Sequence, residues 1–337
     1  MSDVFERSVA GRTLSIQVGK YAHQANGAVA VQYGNTVVLA TACSSSEPRE
    51  GIDFAPLTVD YEERLYAAGK IPGSFIRREG RPTEEAVITS RLIDRSLRPL
   101  LSKEFNYDVQ VVATVLSVDQ ENDPDTCALI GASAALTLSD IPFSGPISAV
   151  HIGYINDALV VNPPLNQMES SLLDVVVAST SKDIVMVEAG AKEISEDILL
   201  GAIKLGHEAN QEIIKLQEDL QRVHGKAKVE TKSKGPVPEL SSQIAAIMGE
   251  KLGQVLEERE KLQRDKALTS LKEEIRNKLV DSFPEDGINV AFEAQLKAAV
   301  REKILQTKRH LDGRETKEIR PISCEVGIFP RTHGSGL

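Results

Sequence analysis

Phe75, Arg77, Arg78 and Arg81 lie within seven positions of one another and combine a flat apolar ring with three guanidinium forks. An exposed aromatic face stacks on nucleobases, and arginine forks pair with phosphate oxygens. Gly69, Pro72, Gly73 and Gly80 keep this stretch out of regular structure, so it reads as a loop. Just beyond it, Arg91, Arg95 and Arg98 fall at i, i+4 and i+7, the spacing of one helix face. The chemistry on offer is capture of a single polyanionic strand. For the helix arginines two readings stand, steering of strand or phosphate and pairing across an interface, the second placed first for Arg91 and Arg95.

Charge sharpens the loop reading. The 337 residues carry 39 Lys and Arg against 49 Asp and Glu, a formal net charge of −10. Between residues 70 and 98, however, seven basic side chains (Lys70, Arg77, Arg78, Arg81, Arg91, Arg95, Arg98) face four acidic ones (Glu79, Glu84, Glu85, Asp94). A basic island on an acidic chain points to a directed anion site. Charge alone leaves equal room for arginines paired with acidic neighbours on a solvated face.

Several chemistries are excluded. Gly69-Lys70-Ile71-Pro72-Gly73-Ser74 has the wrong order for a nucleotide-binding P-loop and a proline inside the turn. No nucleophile elbow is present. Cys43, Cys127 and Cys324 are odd in number and far apart, and with the six histidines they form no zinc spacing; a reducing, cytoplasmic setting is expected. No apolar run approaches the ~18 residues of a membrane span.

The elements that must position the loop follow from pattern. Apolar β-branched runs at 28–33 and 36–41 flank Gly34-Asn35 as a hairpin, and 150–155 with 159–161 flank Asn156-Asp157 as a second. Strands are expected at 109–118, buried on both faces, and at 173–178 and 184–188. Pro82 and Thr83 open a helix with Glu84 and Glu85 in its first turn, and Pro99 closes it. A small-residue helix is expected over 125–139 and a long amphipathic one over 193–222. A polar linker follows, and 240–306 turns to helical composition broken near 282–287, its charges read as a solvated helix face. Near the end, Gly313-Arg314 and the strand-like Ser323–Phe329 echo Gly11-Arg12 and Ser15–Tyr21, which suggests a second copy of the first unit cut off soon after it begins.

The blocks Tyr61–Leu100 and Leu129–Ile147, with GRETKEIRPI and PRTHGSG near the end, resemble the amino-terminal part of bacterial polynucleotide phosphorylases. The resemblance implies an α+β fold: an RNase PH-like unit of mixed sheets packed with helices (1–228), a linker (229–239), a small all-helical domain (240–310), and the first strand of a second RNase PH-like unit (311–337). It implies a homotrimeric ring that shortens single-stranded RNA from 3′ to 5′ in mRNA degradation, with inorganic phosphate as co-substrate and companion degradation proteins as partners. Mg2+ and the catalytic residues are placed in the second unit.

Within the first unit, the resemblance sets Met168, Asp174 and Val176 where the catalytic copy has Asp-x5-Asp-x-Lys, and Gly131-Ala132-Ser133 where it has a phosphate loop. No catalytic or metal residue is therefore expected in this chain, which by itself is expected to be inactive. Phe75, Arg77 and Arg78 match the channel-entrance residues that stack on a base and meet the backbone; Ile76 stands where a second aromatic is common. The alternative is a non-catalytic RNA-binding ring subunit.

Overall fold

The computed structural model describes residues 2–49, 52, 54–73, 75, 79–231 and 238–337. Two units separate, Met1–Lys232 and Ser233–Leu337. In the first, β1 (Asp3–Val9), β2 (Arg12–Val18), β3 (Gly27–Tyr33), β4 (Thr36–Pro48), β5 (Leu57–Glu63) and β6 (Tyr107–Ser117) form a sheet in the order β1-β2-β3-β4-β6-β5. All neighbours are antiparallel except β5 and β6, whose crossover is the arginine-bearing α1 (Glu84–Leu97).

After α2 (Pro124–Leu138), a second antiparallel sheet is built from β7 (Ser148–Ile155), β8 (Ala158–Val161), β9 (Leu173–Ser179) and β10 (Ile184–Ala191), in the order β10-β9-β7-β8. The one-turn α3 (Leu165–Met168) joins β8 to β9, and α4 (Glu196–His224) packs on β7, β9 and β1. Both hairpins stand where the turn residues predict them: Asn156 and Asp157 have φ of 49° and 60°, as a two-residue I′ turn needs.

The centre of this unit is α2, buried from Asp125 to Leu138. It packs on β3, β4 and β6 on one side and on β7 and α4 on the other. Such a position demands small residues: a Cβ on Gly131 would lie 2.9 Å from the Ala40 Cβ, and one on Gly27 only 2.0 Å from the Ala135 carbonyl oxygen. The Ser133 hydroxyl donates to Gln217 Oε1 at 2.8 Å and accepts from the Ile147 N–H at 2.9 Å, while Gln217 Nε2 donates to the Ile147 carbonyl at 2.9 Å. This closed polar triangle ties α2 to α4 and β7 with every member paired.

Two expectations are corrected. The 109–118 strand is buried on one face only, through Val109, Val111, Ala113 and Val115, because α2 covers that face; Gln110 is exposed and Val112 half-buried. The linker does not start at once after α4. Lys226 N–H donates to the Leu138 carbonyl and Val229 N–H to that of Asp140, and the Lys228 ammonium caps the end of α2 by donating to Leu136, Thr137 and Ser139 carbonyls at 2.6–3.0 Å. Burial pushes the Lys228 amine down to about 8.

The second unit holds α5 (Pro238–Glu257), α6 (Lys261–Leu279) and α7 (Glu285–Thr307). Leu240, Ile244, Met248, Leu252 and Leu256 make an i, i+4 stripe that packs with Leu271, Ile275, Leu279, Ile288 and Phe292. Gly249, with φ of 40° and ψ of −132°, interrupts α5. Ser323–Phe329, expected as a strand, forms no strand and is exposed. Its pairing is a single bridge, Val326 with Gly336, in which Glu325 and Leu337 exchange N–H···O bonds at 3.0 and 2.9 Å; no sheet edge among the described residues receives it.

Candidate functional site

The loop after β5 is held at both feet. A short 3-10 turn over Leu65–Ala68 ends at Gly69, whose φ of 68° permits the left-handed closure. Arg64 pairs with Glu79 at 3.0 Å and with Glu62, and Glu79 Oε1 accepts the Leu65 N–H at 2.6 Å. The Leu65 N–H, then Arg64, holds the Glu79 carboxyl below its ordinary range. On the far foot, Thr83 caps α1 by accepting the Ala86 N–H at 3.1 Å. Between the feet lies a crevice of about 640 Å³ lined by Tyr61, Arg64, Lys70, Arg81 and Pro124 among others.

The sequence candidates divide accordingly. The Phe75 ring is fully exposed, at 103% of its reference area. Arg81 is exposed on the crevice wall and makes no ion pair among the described residues. Arg77 and Arg78, with Ile76, lie outside the described residues. Arg91 is exposed with no ion pair among the described residues. Arg95 pairs with Glu188 of β10 at 3.2 Å, so within this chain it ties α1 to the second sheet. Arg98 grips Asp94 through Nε at 2.9 Å and donates to the Leu57 carbonyl at 3.1 Å.

A second constellation escapes the sequence. Asp119 accepts from the Asn35, Glu121 and Asn122 N–H groups at 2.9 Å each and so shapes the turn into α2. Asp123 then caps α2 by accepting the Asp125 N–H at 3.1 Å, Pro124 takes the first helical position, and Asp125 sits buried in the first turn. Against that turn lies His151 of β7. Its Nε2 is 3.1 Å from both Asp125 carboxylate oxygens, and its Nδ1 is 3.1 Å from Asp174 Oδ1 on β9. Asp174 pairs with Gly153 in the sheet, so it reaches His151 diagonally across the strands.

Burial opposes charge on His151, but Asp125 and Asp174 outweigh it and raise the imidazole well above its ordinary value. Burial and then the Asp125 charge push the Asp123 carboxyl up to about 7. The signal that could have found this group is a single histidine inside the apolar run Val150–Ile152, which a core strand tolerates only with partners.

This arrangement is hostile to phosphate. A helix N-terminus attracts anions, yet here the protein's own carboxylates fill it. Gly131-Ala132-Ser133, matched to a phosphate loop, is instead the buried middle of α2, with Ser133 already committed to Gln217 and Ile147. Nor do the residues at the Asp-x5-Asp-x-Lys positions fit Mg2+: Val176 is buried, Met168 offers no hard oxygen, and Asp174 alone is a carboxylate, held by His151.

Three family models match along the chain. Residues 10–142 match the 3′ exoribonuclease family, domain 1; residues 145–209 match its domain 2; residues 239–315 match a family described as polyribonucleotide nucleotidyltransferase, RNA binding domain. The break between the first two falls between α2 and β7, although both sheets share one core. Curated relatives named polyribonucleotide nucleotidyltransferase include those of Heliobacterium modesticaldum, 51% identical over 99% of this chain and 47% of the relative, and Caldicellulosiruptor bescii, 47% identical over 100% of this chain and 48% of the relative. The chain thus spans about half the length of the curated relatives it matches. Among solved structures, rice (Oryza sativa) Rrp46 shares the fold, with a TM-score of 0.50 at 15% identity over 65% of this chain and 94% of that one. With its sheets, its helical unit and its relatives all in agreement, this chain belongs to the polyribonucleotide nucleotidyltransferase family.

Proposed function

We propose that this chain guides single-stranded RNA within a phosphate-dependent 3′ to 5′ exoribonuclease, a polyribonucleotide nucleotidyltransferase acting in cytoplasmic mRNA degradation as a homotrimer. The observation that carries the reading is the fully exposed Phe75, two positions beyond Gly73 of a crevice that Lys70 and Arg81 line together with Glu62, Glu63 and Glu79. An apolar ring left bare to water gains by stacking on a base, ~1–3 kcal/mol per contact. Phe75, Arg77, Arg78 and Arg81 are assigned the RNA contact; Arg91 is assigned to RNA or a subunit interface, and Arg95 and Arg98 to ties within the unit.

Phosphorolysis itself needs a phosphate cradle and a metal held by carboxylates. The carboxylate-filled start of α2 argues against a phosphate cradle there, and Met168 and the buried Val176 argue against a catalytic Mg2+ at the matched positions. We assign Mg2+, inorganic phosphate and bond cleavage to a second RNase PH-like unit. The division of the chain into 1–228, 229–239, 240–310 and 311–337 is part of the same proposal. No helix among the described residues is long and apolar enough to cross a membrane.

The test is phosphate-dependent release of nucleoside diphosphates from RNA with Mg2+, comparing this 337-residue chain with a full-length relative. The chain alone is expected to bind RNA and release none. Robust release by the chain would place chemistry in this unit and overturn the assignment. The alternative of a purely structural RNA-binding subunit has the same expectation for the isolated chain, but the relatives' shared name favours the enzyme.

A further inference from the structure

We propose that Asp123, Asp125 and His151 form a binding site for one divalent first-row transition ion, Mn2+ or Zn2+, at the junction of α2 and β7. One donor atom from each residue lies within 4.8 Å of the others, a nitrogen and two oxygens of the kind such ions accept together. The His151 Nε2 to Asp125 separations of 3.1 Å are close to the spacing of adjacent ligands around an ion with bonds of about 2.1 Å, roughly 3.0–3.4 Å, so this pair needs little movement and Asp123 closes in from within 4.8 Å.

Three further features support an ion. First, the far ring nitrogen of His151 is held by Asp174, the outer carboxylate that fixes ring orientation and strengthens a ligating imidazole. Second, a cavity of about 70 Å³ lined by Asn122, Asp123, Thr126, His151 and Asp174 adjoins the group, with room for water to complete the coordination. Third, three carboxylates meet one imidazole, and no Lys or Arg pairs with any of them among the described residues. Binding displaces the protons held at Asp123 and at His151 Nε2, and a dication then balances the carboxylate charge that is left. The imidazole donor selects against Mg2+, which prefers an all-oxygen octahedron. The site is independent of the phosphorolytic reading and would lock the start of α2 to the second sheet.

The metal-depleted chain is titrated with MnCl2, free Mn2+ being read by EPR, and with ZnCl2 against a chromophoric chelator. One ion per chain is expected, with nitrogen coupling from a bound imidazole in the pulsed EPR spectrum of the Mn2+ form. Asp123→Asn keeps the capping oxygen and the fold, and is expected to weaken binding at least about tenfold. His151→Gln is expected to remove the nitrogen coupling; if it fails to fold, Asp123→Asn decides. Absence of stoichiometric binding would mean that His151 is only an ionic tie between Asp125 and Asp174. That result, binding unchanged in Asp123→Asn, or Mn2+ bound without nitrogen coupling would each overturn the proposal.

Discussion

Asp119 and Asn122 are joined twice: the Asn122 N–H donates to Asp119 Oδ1 at 2.9 Å and the Asn122 side-chain amide donates to Oδ2 at 2.7 Å. With the Asn35 N–H on the same carboxylate, the pair binds the β3–β4 turn to the loop that starts α2. Gly34 has to be glycine there, since a Cβ would lie 2.7 Å from Asp119 Oδ2 and 2.6 Å from Asn122 Nδ2, at a φ of +62°.

Asp119→Ala should therefore lower the unfolding free energy by about 2 kcal/mol, as loss of several bonds to one charged acceptor does. Burial works against the Asp119 charge, but the N–H donors of Asn122, Asn35 and Glu121 prevail and hold its carboxyl at about 2, against 3.8 unperturbed. Its folded value is depressed, so its contribution is complete above the unfolded value and disappears as pH falls from about 4 through 2. Urea denaturation of the wild-type and Asp119→Ala chains should converge across that window; a constant gap would contradict the assignment.

Gly131→Val should destabilise the first unit by about 1–3 kcal/mol, because the added methyls meet Ala40 and Val31 across a packed face. Chemical denaturation followed by circular dichroism measures it. An unchanged midpoint would mean that α2 is not as tightly enclosed as its burial indicates.

Phe75→Ala should weaken binding of a labelled single-stranded RNA about tenfold, while the melting temperature stays within about a degree, since the ring buries nothing in the chain. Fluorescence anisotropy and a thermal melt separate these. Equal RNA affinity in the two proteins would remove Phe75 from the contact.

Replacing Arg77 and Arg78 together by Ala should flatten the slope of log affinity against log salt by about 1.4, at roughly 0.7 per phosphate neutralised. Anisotropy titrations over a range of KCl give the slope directly. A parallel line displaced downward would assign the loss to stacking or folding and not to phosphate pairing.

Local patterns carried well into three dimensions wherever the cause was local. Gly34-Asn35 and Asn156-Asp157 turned as their residue types require, and Thr83 capped the arginine helix. Long-range chemistry did not read through. His151 and Asp125 are 26 positions apart and meet only because β7 packs against α2, which no spacing rule reveals. Arg95 finds Glu188 and Lys228 finds the end of α2 for the same reason, so a helix face and a polar linker turned out to be ties inside the unit. Ser323–Phe329 shows the converse: a strand-forming composition makes no strand without an edge to join.

The enclosure of α2 by two sheets and α4 has a kinetic side. Its peptide groups around 129–136 are buried between the two sheets and α4, so their hydrogens are expected to exchange among the slowest of the first unit. Asp125 rides on the opening turn of that helix, which fastens the carboxylate–histidine group to the most enclosed helix of the first unit.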